Sequence, residues 1–580
     1  MALRDSAGAT SSKRSPARRW QVWVGAAALF FLSWISGGYQ FYAGNHALQI
    51  PLVESLVDPS LFPGDPFAAT LRGYSAPLWW AVARATSFLP FERLFFLLFV
   101  VEKVCLLLAA ASLARALRPE SAVAPWAGAL VAALGIPPLL GNGKITASYF
   151  EQTAFSIPFF LWGFASILRG ARWRWAVFSA IGTTLNPMYG VYALTYSALA
   201  AGLIHYRRWP RWILPLFLFA ALASPAFAFA IRSGSVQAPD WSLWLSAVAA
   251  RFPHHLSPLE WEIERFVAFG LLMMVVISAV LRAPAAEERG ANDFIAAAAI
   301  CALGWLALAF FARYLLHSPI LLVLHPARAT DFWYAAAAIF LAAHYSSQAE
   351  LGGRAGRAKN LVSLAISILL LPASALLMLN VFIGAPLLLF LDSLPWETWG
   401  RRVWPPRTVI VLALLGVCFT TGWLVASWVS PSGRRLYSYG VSPGEREVAL
   451  WAKAHTPRNA LFAVPPNMEF FRALSERGVV GTWKDGSAIL WDKAFVSEWV
   501  ERMHALGRPV VPERANLWPA ANSIYPAGWH DSDLESLCRR FGADYCVLPK
   551  THPTRWPVLF RGKMGFMIVK RPLAQSSDSD

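Results

Sequence analysis

GNHALQIPLVESLVDPSLFPGDPF, residues 44–67, decides how this chain is laid out. It carries three carboxylates, Glu54, Asp58 and Asp65, together with four prolines and one histidine. Its flanks are the opposite in character. The runs from about Trp20 to Tyr42 and from about residue 93 to 117 are almost wholly apolar, and each is long enough to cross the ~30 Å hydrocarbon core of a bilayer. The first run is too long for the apolar region of a signal peptide and has no A-x-A-like cleavage site, so it reads as a retained helix. A polar, proline-punctuated stretch between two such runs is a loop at a membrane surface.

The rest of the chain repeats the pattern. Of 580 residues, 56% are hydrophobic and only 15% charged, which places the chain among polytopic membrane proteins. Thirteen spans are predicted, near 20–43, 93–117, 123–140, 153–169, 174–186, 188–205, 211–231, 259–282, 293–315, 328–347, 361–378, 380–393 and 408–430. The formal net charge of +17 would suggest nucleic acid in a soluble domain. Here the basic residues concentrate where the spans put the cytoplasm, as in Arg207, Arg208 and Arg211 or Arg401, Arg402 and Arg407. The excess therefore follows the positive-inside rule and gives no argument for a nucleic-acid partner.

The division expected is a disordered cytoplasmic N-terminus (1–19), a transmembrane domain (20–430) with an acidic first outer loop (44–92), an extracytoplasmic α/β domain (431–575) and a disordered tail (576–580). In the α/β region, GEREVALWAKAHTPRNALFAVPP predicts a helix and a strand, RGVVGTW a strand, DLESLCRRFGADYCVLP a helix, a glycine turn and a strand, and GFMIV a last strand. Cys538 and Cys546 fall in this region, and the sequence leaves open whether they pair.

Charged and histidine side chains gather in the outer loops. Besides the first-loop acids there are Lys144 and Glu151 in GNGKITASYFEQ, Arg251, His254 and His255 in RFPHHLSP, and Arg328 with Asp331 in HPARATDF. Carboxylates and cations facing a membrane suit glycosyl transfer from a polyprenyl-phosphate sugar. The phosphate is already a competent leaving group, so one carboxylate must take the proton of the attacking hydroxyl and cations must stabilise the departing phosphate. Asp65, Asp58 and Glu54 are the candidate bases. Arg328, Lys144, His254, His255 and Glu151 are the candidate substrate contacts. No metal ligand set is assigned; a divalent ion is compatible with the chemistry, and no other cofactor is implied.

Within the first loop, Pro51 is placed as a first helical residue, and Leu48, Leu52 and Leu56 recur every fourth position. Glu54 and Asp58 then fall on the other face of a short interfacial helix. Asp65 lies in the turn FPGDPF. Glu102 and Lys103 sit inside a span, where charges usually pair or serve function. Asn186-Pro187 breaks one long apolar run, either as a hairpin turn or as the lining of a cavity. Walker, HExxH and CxxC patterns are absent from the sequence, so ATP hydrolysis and zinc proteolysis have no support.

The long acidic outer loop, the many spans and the C-terminal α/β region together resemble the GT-C superfamily of polytopic membrane glycosyltransferases. NHALQIPLVESLVDPSLFPGDPF, NPMYG, RFPHHLSP and FFRALSERGVVGTWKDG are more closely similar to a bacterial membrane-protein family of GT-C-like layout, whose motifs carry no assigned chemistry. The resemblance covers nearly the whole chain. It implies an inverting transferase in a bacterial inner membrane, with a polyprenyl-phosphate-linked sugar and membrane lipid as partners, the acceptor being a glycan, lipid or protein. Many GT-C enzymes place an acid directly after the first helix; this chain has Asn45 and His46 there. Arg472, Arg477 and Lys484 are candidate acceptor or phosphate contacts in the α/β domain. Two other readings compete, a transporter or flippase and a non-catalytic scaffold with an outer interaction domain.

Overall fold

The computed structural model describes residues 16–74, 76–136, 139–141, 145–234, 240–282, 289–351, 354–369, 377–393, 436–510 and 529–572. Among the described residues, helices stand at twelve of the thirteen expected spans, from Pro16–Gly37 to Leu377–Ser393; the expected span 408–430 lies outside them. Among the described residues, four stretches are both long and apolar enough to cross a membrane: Phe91–Leu117, Pro187–Arg232, Ile263–Arg282 and Arg289–Leu315. The chain is accordingly a membrane protein. Pro187–Arg232 has 46 residues, far beyond one crossing at 1.5 Å per residue, and a 3-10 turn at Tyr206–Trp212 divides it.

Thr330–Leu351 is the centre of the bundle, with Phe332 through Ala343 all buried. It has almost no polar face, as expected of a helix surrounded by others. Small residues allow the close approach: an added side chain at Gly128 would meet Ala114 Cβ at 2.6 Å. Glu102 and Lys103 pair at 3.7 Å. Lys103 also donates to the Ala147 carbonyl at 2.7 Å, and Glu102 accepts the Glu151 backbone N–H at 3.2 Å. They thus tie Phe91–Leu117 to the segment 147–151 instead of facing lipid.

The C-terminal part folds around a five-stranded sheet, four of whose strands were expected. Strands β3 (Leu461–Ala463), β4 (Gly478–Val479), β5 (Tyr545–Pro549), β6 (Val558–Arg561) and β7 (Phe566–Lys570) are ordered β4-β3-β5-β7-β6. The pairs of β3 with β4 and β5 are parallel, and those of β7 with β5 and β6 antiparallel. Gly542 ends the helix Asp531–Phe541 in the left-handed region, φ 72°, where glycine carries no steric cost. A separate two-residue ladder joins β1 (Gln40–Phe41), just after the first helix, to β2 (Ser438–Tyr439) in parallel.

The loop after the first helix differs from expectation. Its helix is His46–Val57, with Pro51 inside it, and His46 through Glu54 are all buried. Periodicity within the segment predicts one wet face, but the α/β domain covers that face.

Candidate functional site

Each first-loop acid is engaged in this contact. Asp65 caps the helix Pro66–Thr70 by accepting from Ala68 N at 3.1 Å, and it accepts from Val479 N at 2.9 Å. It also receives Arg472 Nε at 2.6 Å, while Arg472 Nη2 reaches Asp485 at 2.9 Å. Arg472 is 1% exposed, so the three groups form a buried clamp between the loop and the domain. Asp58 pairs at the surface with Arg458 at 2.8 Å. Glu54 is buried without a hydrogen bond to Oε2 among the described residues, and burial, with Glu476 adding, holds its carboxyl well above the ordinary range. Arg477 is spent on the carbonyls of Lys453, Ser475 and Thr456.

None of Glu54, Asp58, Asp65, Arg472 and Arg477 lines the large cavity of about 1910 Å³ that lies between the membrane helices and the α/β domain. That volume is about twice the ~300–1,000 Å³ of common small-molecule pockets, which leaves room for two substrates. One wall is apolar: Met188, Leu222, Pro225, Ala226 and Phe229, all on membrane helices. The opposite wall comes from the α/β domain, with Glu445, Glu469, Trp483, Lys484, Trp491 and Arg508. Glu151, Arg251, His254, His255, His325 and Arg328 also line it. The cavity therefore unites Glu151, His254, His255 and Arg328 of the expected contacts; Lys144 lies outside the described residues.

Glu151 stands just before the helix Gln152–Leu168, where the free N–H groups favour a negative charge. It is 2% exposed. Asn45 Nδ2 donates to its Oε1 at 2.8 Å, and Lys484 Nζ donates to Asn45 Oδ1 at 3.0 Å. A loop amide thus links a cation of the α/β domain to the cavity's carboxylate. The break at Asn186-Pro187 lines the cavity too. Asn186 accepts from Tyr189 N at 3.2 Å, capping the next helix, and donates to Thr153 Oγ1 at 3.0 Å.

Arg328 lies in the turn Pro326–Ala329, its guanidinium 5.4 Å from the Tyr189 ring. Tyr189 OH, not Arg328, takes Asp331 Oδ2, at 2.8 Å. The buried Arg328 Nε has no hydrogen-bond partner among the described residues, and the residue lines the cavity. His255 Nδ1 lies 2.6 Å from the Gly141 carbonyl, and its ring is 4.1 Å from His254 and 5.2 Å from His325. Burial, then His254 and Arg328, push His255 well below the ordinary imidazole value. Burial and Arg328 do the same to His325. Both rings are neutral near pH 7, and the expected positive charge from His255 is replaced by hydrogen-bonding capacity. Among the described residues no three His, Cys, Asp or Glu side chains are grouped to hold a metal ion.

Sequence reasoning missed His325, Arg508, Trp483, Glu445 and Glu469 as lining residues. The left-handed backbone of His325, φ 45°, leaves no mark in the sequence. Lys484 was legible only through its basic neighbours in the motif FFRALSERGVVGTWKDG.

Residues 443–506 match a family model described as a domain of unknown function, DUF6798. No curated protein matches. The crystal structure of ArnT from Cupriavidus metallidurans bound to undecaprenyl phosphate is similar at a TM-score of 0.40 and 14% identity, over 95% of this chain and 98% of that one.

Proposed function

We propose that this chain is a membrane glycosyltransferase that moves a sugar from a polyprenyl-phosphate donor to an acceptor on the extracytoplasmic face of a bacterial inner membrane. The observation that carries it is the cavity itself. A carboxylate, Glu151, and an arginine, Arg328, open into a space whose far wall is apolar membrane helix. The isoprenoid chain lies against Met188, Leu222 and Phe229. Arg328 holds the phosphate, with His255 and His325 as neutral hydrogen-bonding neighbours.

In this reading Glu151 takes the proton of the acceptor hydroxyl as its oxygen bonds to the anomeric carbon. The bond from that carbon to the phosphate oxygen breaks with inversion, and the electron pair leaves on the phosphate beside Arg328. Asp58 and Asp65 tie the first loop to the α/β domain, and Glu54, like them, does not line the cavity. The test is transfer from a radiolabelled polyprenyl-phosphate sugar by purified protein, using a crude envelope extract as acceptor. Glu151→Gln is expected to lower turnover by about 10²–10⁴-fold, the usual worth of a general base, and Arg328→Ala to weaken donor binding. Full activity in both variants sinks the mechanism. Movement of the lipid across a bilayer without transfer would favour the flippase reading.

A further inference from the structure

The α/β end of the cavity holds charged groups that this mechanism leaves unused. Arg251 ends the helix Trp241–Arg251, and Arg508 follows the helix Phe495–Ala505. Their guanidinium carbons face one indole, Trp483, at 5.9 Å and 4.0 Å from the ring centre. Two like charges at one ring repel each other. Burial lowers Arg508 to about 10, with Glu469 opposing and Arg251 adding; burial lowers Arg251 as well.

The carboxylates nearby do not answer these charges in full. Asp485 is held by Arg472 through both oxygens, at 3.0 and 2.9 Å. Glu469 lines the cavity and attracts both arginines, one acid facing two cations. Arg251 makes one long bond, Nη2 to Ser487 Oγ at 3.3 Å. Its buried Nε has no hydrogen-bond partner among the described residues. Fixed guanidinium groups with donors to spare are fitted to a carboxylate or phosphate.

Next to them is an aromatic surface. Trp483 and Trp491 both line the cavity, and Trp491 packs on Tyr74 at 4.8 Å. Apolar ring faces beside a few charged donors are the mixture that a sugar ring with one ionised substituent requires. The connection to the reacting end is short: Lys484, next to Trp483 in the chain, holds Asn45, and Asn45 holds Glu151.

We propose that Arg251, Arg508 and Trp483 form an acceptor subsite for a saccharide bearing an anionic group, a carboxylate or a phosphate. Its role as acceptor rests on the transferase reading; the binding site rests on the geometry above. The experiment is calorimetric titration of the purified full chain in detergent with three probes: a glucuronic-acid trisaccharide, the neutral glucose trisaccharide and glucose 6-phosphate. Thermal stabilisation by polyprenyl phosphate is measured on the same preparation.

One or both anionic sugars are expected to bind at least about tenfold more tightly than the neutral one, and the stronger of the two identifies the group. Arg251→Ala and Arg508→Ala should each cost about tenfold in that affinity, the worth of one charged hydrogen bond. Stabilisation by polyprenyl phosphate should not change. Arg251→Lys, which keeps charge and bulk, controls for folding and should retain part of the preference. Equal binding of neutral and anionic sugars by the wild type, or an undiminished preference in both alanine variants, overturns the subsite. Anionic-sugar binding in a protein that polyprenyl phosphate does not stabilise leaves the subsite standing and overturns the transferase reading instead.

Discussion

Glu445 shows what burial does to one side chain at the rim of the cavity. Its carboxyl is raised from its ordinary value of 4.5 to about 8, chiefly by burial; the N–H of Phe470 opposes the shift and Glu469 adds to it. The folded chain therefore keeps a proton that the unfolded chain gives up near pH 4.5. This group's cost to stability is absent below that pH, and it grows as the pH climbs to about 8. Glu445→Gln keeps an acceptor for Phe470 and removes the titration. Melting temperatures of the variant should fall less than those of the wild type between about pH 5 and 8, and parallel profiles would count against it. Little of this was legible in the sequence. Ser442 and Glu445 have the spacing of a helix start, and Ser442 Oγ does accept from Glu445 N at 3.1 Å. The side chain of Glu445 instead turns to Phe470, 25 positions away.

Elements were read best where a local rule decides them. Apolar runs located the bundle helices, and the glycine in RRFGADYC marked the turn between the helix Asp531–Phe541 and β5. β6 escaped notice because only four residues form it and alternate ones are exposed, too short a pattern to stand out. The turn before β5 also places the two cysteines, both of which are free thiols in the structure. It brings Cys538 Sγ and Cys546 Sγ to 3.2 Å, both buried. Their mutual hydrogen bond, then burial, raises the Cys546 thiol well above its ordinary value, so uncatalysed oxidation is slow. An added oxidant such as diamide should close the pair, taking two hydrogens from the chain. Intact mass under non-reducing conditions reads the loss, and the small loop closed should add about 2–3 kcal/mol of stability. Two thiols still alkylated in the unfolded, diamide-treated protein would refute the pairing.

At the scale of the whole molecule, the membrane bundle and the α/β domain are held together through the loop that follows the first helix. Arg472 and Asp65 are 407 positions apart, a distance at which no periodicity or local motif links two residues, which is why Asp65 read as a catalytic candidate. Asp65→Asn leaves Arg472 paired with Asp485 but weakens the charged hydrogen bonds to Arg472 and Val479 N, and should cost about 1.5–3 kcal/mol. A double-mutant cycle with Arg472→Met, followed by thermal melting, should return most of that as coupling energy; additive effects would show the clamp to be incidental. The pairing of β1 with β2 adds a consequence of timing. Residue 40 leaves the ribosome long before residue 438, and Lys484, which steadies Asn45 beside Glu151, emerges later still. A nascent chain already in the bilayer therefore lacks the wall that completes its cavity. The cavity is closed only when synthesis is nearly finished, and a chain truncated before residue 484 never has it.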